Sequence, residues 1–138
     1  MTLQDCRIIK LPVIPDERGN LSFIEECNHI PFRIKRTYWL YDVPGGERRA
    51  GYALKGTDDF VVAMSGSFDV LLSDGTDEKT VHLNRSYEGL LIPRGIWREF
   101  RNFSTNSLAI VLSSEHYDAS LYVRGMEELK ALKADGEI

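Results

Sequence analysis

Ten short runs rich in β-branched and aromatic residues, each closed by a turn signal, constrain the fold of this chain more than any other feature. The runs span 7–12, 20–26, 34–41, 48–55, 59–64, 67–73, 78–83, 89–93, 96–103 and 107–113. Between them lie Asp16 to Asn20, Pro44-Gly45-Gly46, Ser65-Gly66-Ser67, Asp74-Gly75 and Pro93-Arg94-Gly95. Asp74-Gly75 joins two alternating runs, Phe68–Ser73 and Thr80–Leu83, which is a hairpin signal. Strands at this spacing build an all-β sandwich or barrel. Only the tail changes period. From about Val123 the apolar positions Val123, Met126, Leu129 and Leu132 recur every three residues, which predicts one short amphipathic C-terminal helix packed on the barrel or on a second subunit.

Length and charge limit what such a barrel does. A chain of 138 residues is about one domain, 1–138, and closes a core without staples. The net charge of −4 and the lack of a Lys/Arg stripe exclude a nucleic-acid footprint. No apolar run approaches the roughly 18 residues of a membrane span, and the N-terminus lacks the apolar core of a signal peptide. The expected location is the cytoplasm. Cys6 and Cys27 share no metal or redox spacing and are expected as two buried thiols.

Two stretches have the spacing of the paired blocks of cupins. Gly46, Tyr52, Leu54, Asp59 and Gly66 fall where that family's first block has Gly, His, His, Glu and Gly. Pro93, Gly95, Arg98 and Asn102 fall where the second has Pro, Gly, His and Asn. The turn-forming glycines and proline persist while every metal-binding position has changed. Leu54 has no donor atom, and Arg98 is a permanent cation that repels metal. His29, His82 and His116 lie outside both blocks. No metal and no cofactor is expected.

Strand alternation sorts the remaining candidates by face. Arg36, Tyr38 and Leu40 share one face of their run, and Thr37, Trp39 and Tyr41 the other. Arg48, Ala50, Tyr52 and Leu54 share a face, as do Arg98, Phe100 and Asn102. In the cupin register Tyr52, Leu54, Asp59, Arg98 and Asn102 line the barrel mouth. A bulge at Gly51 would shift that register by one. A mouth with a cation, a carboxylate, a phenol and an apolar patch suits an organic anion. Arg98, Arg36 or Arg49 could pair with phosphate oxygens, and Tyr38, Tyr52 or Trp97 could stack on a base or sugar.

The chain resembles the WxcM-like cupins, the sugar 3,4-ketoisomerases that act on dTDP-4-keto-6-deoxyglucose in bacterial deoxysugar biosynthesis. The resemblance rests on D-E-R-G-N-L-S-F-I-E-E at 16–26, I-P-F-R-I-K-R-T-Y-W-L-Y-D-V-P at 30–44, G-E-R-R at 46–49, G-S-F-D-V at 66–70, G-L-L-I-P-R-G-I-W-R at 89–98 and Y-V-R at 122–124. It implies an all-β cupin jelly roll with a short C-terminal helix, no metal, a nucleotide-sugar ligand and a homodimer. The Arg7–Pro12 run and the apolar helix face, both in want of cover, agree with a dimer.

One segment departs from the family. Where its members read R-G-x-H-A-H-K, with two histidines proposed as proton carriers, this chain reads R-A-G-Y-A-L-K at 49–55. Arg49, Ala53 and Lys55 match; Tyr52 and Leu54 replace the histidines. Moving a ketone from C4 to C3 passes through an enediol, so a base must take the C3 proton and an acid must supply C4. Tyrosine, with an ordinary pKa of about 10, serves as base only beside cations. Two readings follow. In the first, the chain is an isomerase with Tyr52, Tyr38 and Asp59 as acid–base residues and Arg36, Arg49, Leu54, Lys55, Arg98 and Asn102 against the substrate. In the second, it is a divergent cupin that binds a nucleotide-sugar or other small anion without turnover.

Overall fold

The structure is a computed structural model that describes residues 1–138. Its strands are β1 (Arg7–Lys10), β2 (Val13–Ile14), β3 (Leu21–Ser22), β4 (Arg36–Tyr41), β5 (Arg49–Leu54), β6 (Asp59–Ser65), β7 (Phe68–Ser73), β8 (Glu78–Leu83), β9 (Glu88–Ile92), β10 (Trp97–Arg101), β11 (Leu108–Ser113) and β12 (Tyr122–Val123). One helix, α1 (Met126–Ala134), follows. Two antiparallel five-stranded sheets face each other in the orders β1-β9-β6-β11-β4 and β12-β5-β10-β7-β8. This is the all-β architecture that the run-and-turn pattern predicts, arranged as the cupin jelly roll that the resemblance implies.

The space between the sheets is filled by alternate residues of the strands. Val61 and Ala63 of β6, Phe68, Val70 and Leu72 of β7, Leu90 and Ile92 of β9, Phe100 of β10, and Ala109 and Val111 of β11 form the main core. Each buried Val, Leu, Ile or Phe contributes about 1.5–3 kcal/mol of transfer free energy, so this layer holds the sheets together. A second cluster covers the outer face of the first sheet, where Leu11, Ile30 and Phe32 lie over Phe60, Val62, Leu91 and Leu112. A third lies outside the second sheet: Leu129 of α1 packs with Ala53, Trp97 and Val123.

Several expectations change in the structure. The run at 20–26 keeps only Leu21–Ser22 as strand, paired with Val13–Ile14 as a small hairpin. The helix begins at Met126 rather than Val123, because Val123 joins β12 and pairs with Ala53. Its apolar face is covered by the chain's own sheet and so supports no dimer. Cys6 is buried, but Cys27 is exposed in a turn with φ 58°, so only one thiol is sheltered. Trp97 lies under α1 on the outside of the second sheet, not in the mouth.

Candidate active site

The site is built where β4, the edge of one sheet, faces β5 of the other. On β4 burial alternates from half-buried Arg36 to exposed Tyr41, so Arg36, Tyr38 and Leu40 point inward as the alternation requires. On β5 the register breaks. Arg98 pairs with Tyr52 but Glu99 pairs with Ala50, leaving Gly51 as the extra residue of a bulge. Gly51 has φ 95° and Ala50 φ 67°. A Cβ at Gly51 would meet nothing within 4 Å, so its backbone conformation, not space, favours glycine there. The bulge turns Arg48 outward, where it binds Glu99 at 2.9 Å, and brings Arg49 to the cavity. The uninterrupted alternation that grouped Arg48 with Tyr52 therefore fails at Gly51.

A cavity of about 340 Å³ results, lined chiefly by Arg36, Tyr38, Arg49, Tyr52, Tyr122 and Arg124. The Tyr38 and Tyr52 hydroxyls lie 3.2 Å apart and share a hydrogen bond. The guanidinium of Arg36 lies 4.8 Å from the centre of the Tyr38 ring and donates to the Tyr122 hydroxyl at 3.3 Å. Its buried Nε has no partner. The rings of Tyr52 and Tyr122 touch at 4.8 Å between centres, and the Arg124 guanidinium lies 4.7 Å from the Tyr122 ring centre. None of Arg36, Arg49 and Arg124 has a carboxylate partner.

Beneath the cavity lies a sealed ionic layer. Arg98 and Asp59 are both fully buried, with Arg98 Nη1 donating to Asp59 Oδ2 at 2.6 Å. Arg98 also donates twice to the Ile96 carbonyl, at 3.3 and 3.1 Å, and Ser113 donates to the second oxygen of Asp59. Burial in this way demands pairing, and the layer supplies it. The Arg98 guanidinium sits 5.5 Å from the centre of the Tyr52 ring, under it. Burial opposes a charge on Arg98, but the Asp59 carboxylate outweighs it and keeps the guanidinium firmly protonated. Burial raises the Tyr38 phenol well above its ordinary value, and the negative charge of Asp59 raises it further. Tyr38 is therefore held as the neutral phenol, and Tyr52 is the phenol whose ring faces the Arg98 cation.

The sequence-predicted residues divide by this geometry. Tyr38, Tyr52, Arg36 and Arg49 meet in the cavity. Asp59, Arg98 and Leu54 face inward but lie under it, each nearly or fully buried. Lys55 lies past the end of β5, its backbone bonded to Leu121 at 2.8 Å. Asn102 does not reach the mouth: its φ of 56° ends the alternation of β10, and its side chain donates to Asp69 on the outer face at 2.7 Å. Sequence reasoning missed Tyr117, Tyr122 and Arg124. Tyr122 and Arg124 are consecutive same-face positions of the Y-V-R segment, a signal that pointed to no face until the two-residue strand β12 was seen beside β5. No three His, Cys, Asp or Glu side chains converge on a metal-sized site.

A two-sheet jelly roll with an arginine- and phenol-lined cavity between its sheets defines a small-molecule cupin. The family described as FdtA, WxcM-like, C-terminal, matches residues 4–134, and the chain belongs to it. A TDP-4-oxo-6-deoxy-alpha-D-glucose-3,4-oxoisomerase of Aneurinibacillus thermoaerophilus is 36% identical over 124 residues, 90% of this chain and 89% of the relative. The crystal structure of the WlaRB TDP-quinovose 3,4-ketoisomerase from Campylobacter jejuni superposes with a TM-score of 0.89 at 38% identity, covering 93% of this chain and 98% of that one. QdtA, a sugar 3,4-ketoisomerase from Thermoanaerobacterium thermosaccharolyticum in complex with TDP, superposes with a TM-score of 0.93 at 30% identity, covering 99% of both chains.

Proposed function

We propose that this chain is a metal-independent 3,4-ketoisomerase of nucleotide-linked 4-keto-6-deoxyhexoses, with dTDP as the nucleotide, and that its acid–base pair is Tyr52 and Tyr38. The observation that carries the reading is one cavity that joins a phenol pair to three guanidiniums lacking any carboxylate. Arg36, Arg49 and Arg124 take the diphosphate oxygens through charge-assisted hydrogen bonds. The pyranose then lies against the phenols, with Tyr117 and Tyr122 as flat apolar walls.

Tyr52, whose ring lies over the Arg98 guanidinium, acts as the general base that removes the C3 proton. The electrons of that C–H bond become the C3–C4 double bond as the C4 carbonyl electrons move to O4. Tyr38, held neutral, donates its proton to O4 and so stabilises the developing charge. Asp59 holds Arg98 in place, so it is a positioning residue. Leu54, buried beneath the cavity, gives no proton. The location that goes with this reading is the cytoplasm; no helix is long and apolar enough to cross a membrane.

A second copy of the chain covers the groove of about 770 Å³ on the outer face of the first sheet, whose walls include Val13, Phe23, Ile24, Met64 and Tyr87. Apolar surface of this extent is what subunit contacts bury. Sedimentation at micromolar concentration is expected to give a dimer; a single 15.7 kDa species would refute it.

Proton NMR of dTDP-4-keto-6-deoxyglucose with the purified protein tests the activity. A new 3-keto sugar is expected, and its formation is expected to vanish in Tyr52→Phe. An unchanged substrate at high protein concentration would overturn the reading. Calorimetry with dTDP then separates a binding module, which titrates, from a chain with no such site.

A further inference from the structure

We infer that Asp135-Gly136, at the end of α1, is a spontaneous modification site where aspartate isomerises to isoaspartate, and that folded contacts protect the chain's other Asp-Gly pair, Asp74-Gly75. The inference stands apart from the isomerase reading. It rests on the different surroundings of two identical dipeptides.

Glycine after aspartate leaves the next main-chain nitrogen unshielded by a side chain. That nitrogen attacks the carboxyl carbon of the aspartate side chain. Its proton and the carboxyl hydroxyl leave together as water, and a cyclic imide closes. Water then opens the ring. Where the C–N bond to the main-chain carbonyl breaks, the chain continues through the side-chain carboxyl carbon, one carbon longer, and the α-carboxylate is set free. Mass is unchanged, and no oxidant or cofactor enters. The step needs a carboxyl group free to turn onto the nitrogen, and the protonated carboxyl is the reactive form.

The carboxyl of Asp74 is not free to turn. Oδ1 accepts from the backbone N–H of Thr76 at 2.9 Å and of Asp77 at 2.8 Å, and Oδ2 from that of Leu3 at 3.3 Å. The Gly75 N–H is taken by Ser73 Oγ at 3.1 Å. Burial opposes the charge on Asp74, but these backbone bonds outweigh it and hold the carboxyl ionised.

Asp135 is exposed, and its carboxylate takes part in no ion pair. Its backbone N–H donates to Ala131 at 3.0 Å and that of Gly136 to Lys133 at 3.2 Å, bonds of a helix end that frays. Gly136, at φ 73°, forms the left-handed cap, and the Glu137 N–H closes it on Leu132 at 2.9 Å. Beyond the cap, Ile138 packs against the seam of Ala53, Trp97, Val123 and Leu129. An added backbone carbon at Asp135 moves Glu137 off Leu132 and loosens the tail from that seam.

The test ages the purified protein for days in warm, mildly alkaline buffer. Isoaspartate is then labelled by an isoaspartyl carboxyl methyltransferase, which methylates the freed α-carboxylate, and located by peptide mapping. Label at 135 is expected to exceed label at 74 by about tenfold or more, because a locked pair reacts only from molecules whose local bonds are open. In urea the two pairs should label alike. Asp135→Glu, whose longer side chain closes the ring poorly, should lose the label. Equal labelling in the folded protein, no label at 135, or a difference that persists in urea would overturn the inference.

Discussion

Replacing Asp59 by leucine removes the carboxylate that holds Arg98 at 2.6 Å and leaves a fully buried guanidinium with only the Ile96 carbonyl. Breaking a buried pair on one side costs about 3–5 kcal/mol, because the remaining charge stays out of water. Ser113 also loses its acceptor, which adds about 1 kcal/mol. A domain of ordinary stability, about 5–15 kcal/mol, is left marginal. The double variant Asp59→Leu/Arg98→Met removes both charges and both desolvation costs. It is expected to lie within about 1 kcal/mol of wild type, or above it. The coupling energy of the cycle is then about 3 kcal/mol or more. Urea unfolding followed by the fluorescence of Trp39 and Trp97 gives these values; urea is uncharged and leaves the pair unscreened. A loss below about 1 kcal/mol in Asp59→Leu, the range of an exposed pair, would refute the claim that the charge stays buried and paired. The same double variant should fold and yet lose activity, since the cation under Tyr52 is gone.

Tyr52→Phe is expected to lower kcat by about 10²–10⁴-fold with KM little changed, whereas Arg36→Ala should raise KM more than it lowers kcat; steady-state kinetics separates the two. Gly51→Val should destabilise the fold by about 1–3 kcal/mol in urea, because its φ of 95° strains a β-branched residue although space is open, and should lower activity by re-aiming Tyr52. Burial lifts the Cys6 thiol from 9.0 to about 11. A raised folded value gives stability that is complete below the unfolded pKa and lost as pH rises through the folded one. Wild type should therefore lose stability relative to Cys6→Ala between about pH 9 and pH 11, in urea melts at stepped pH. Iodoacetamide at neutral pH should label Cys27 and spare Cys6, as read by intact mass.

The sheets were legible because alternation and turn residues act locally. Phe68 to Ser73 and Glu78 to Leu83 pair across Asp74-Gly75 as their pattern requires. The inward face of β4 was legible for the same reason. The wall of the site was less so. Gly51 marked where a bulge belongs, but its effect, sending Arg48 out and Arg49 in, depends on pairing with β10, a non-local fact. Asn102 misled because a single positive φ ends the alternation that placed it. Tyr122 and Arg124 reach the cavity only because the chain returns after a turn at Ala119–Leu121 to lie beside β5, which no periodicity of their own encodes. The Arg98–Asp59 layer lay between these cases: a cation on an inward face needs a partner, and Asp59 was the carboxylate of the cupin register.

The five residues after Arg49 carry two kinds of information on alternate side chains. Tyr52 faces the cavity and Leu54 the buried space beneath it, while Ala53 between them packs outward with Leu129 and Val123. A change of proton chemistry at the inward positions leaves the outward seam with α1 untouched. Evolution can therefore rewrite the reaction of this barrel one residue at a time without renegotiating its fold. Such a wall tolerates Tyr52 and Leu54 where the family resemblance would place histidines, and the helix on its far side is what makes that tolerable.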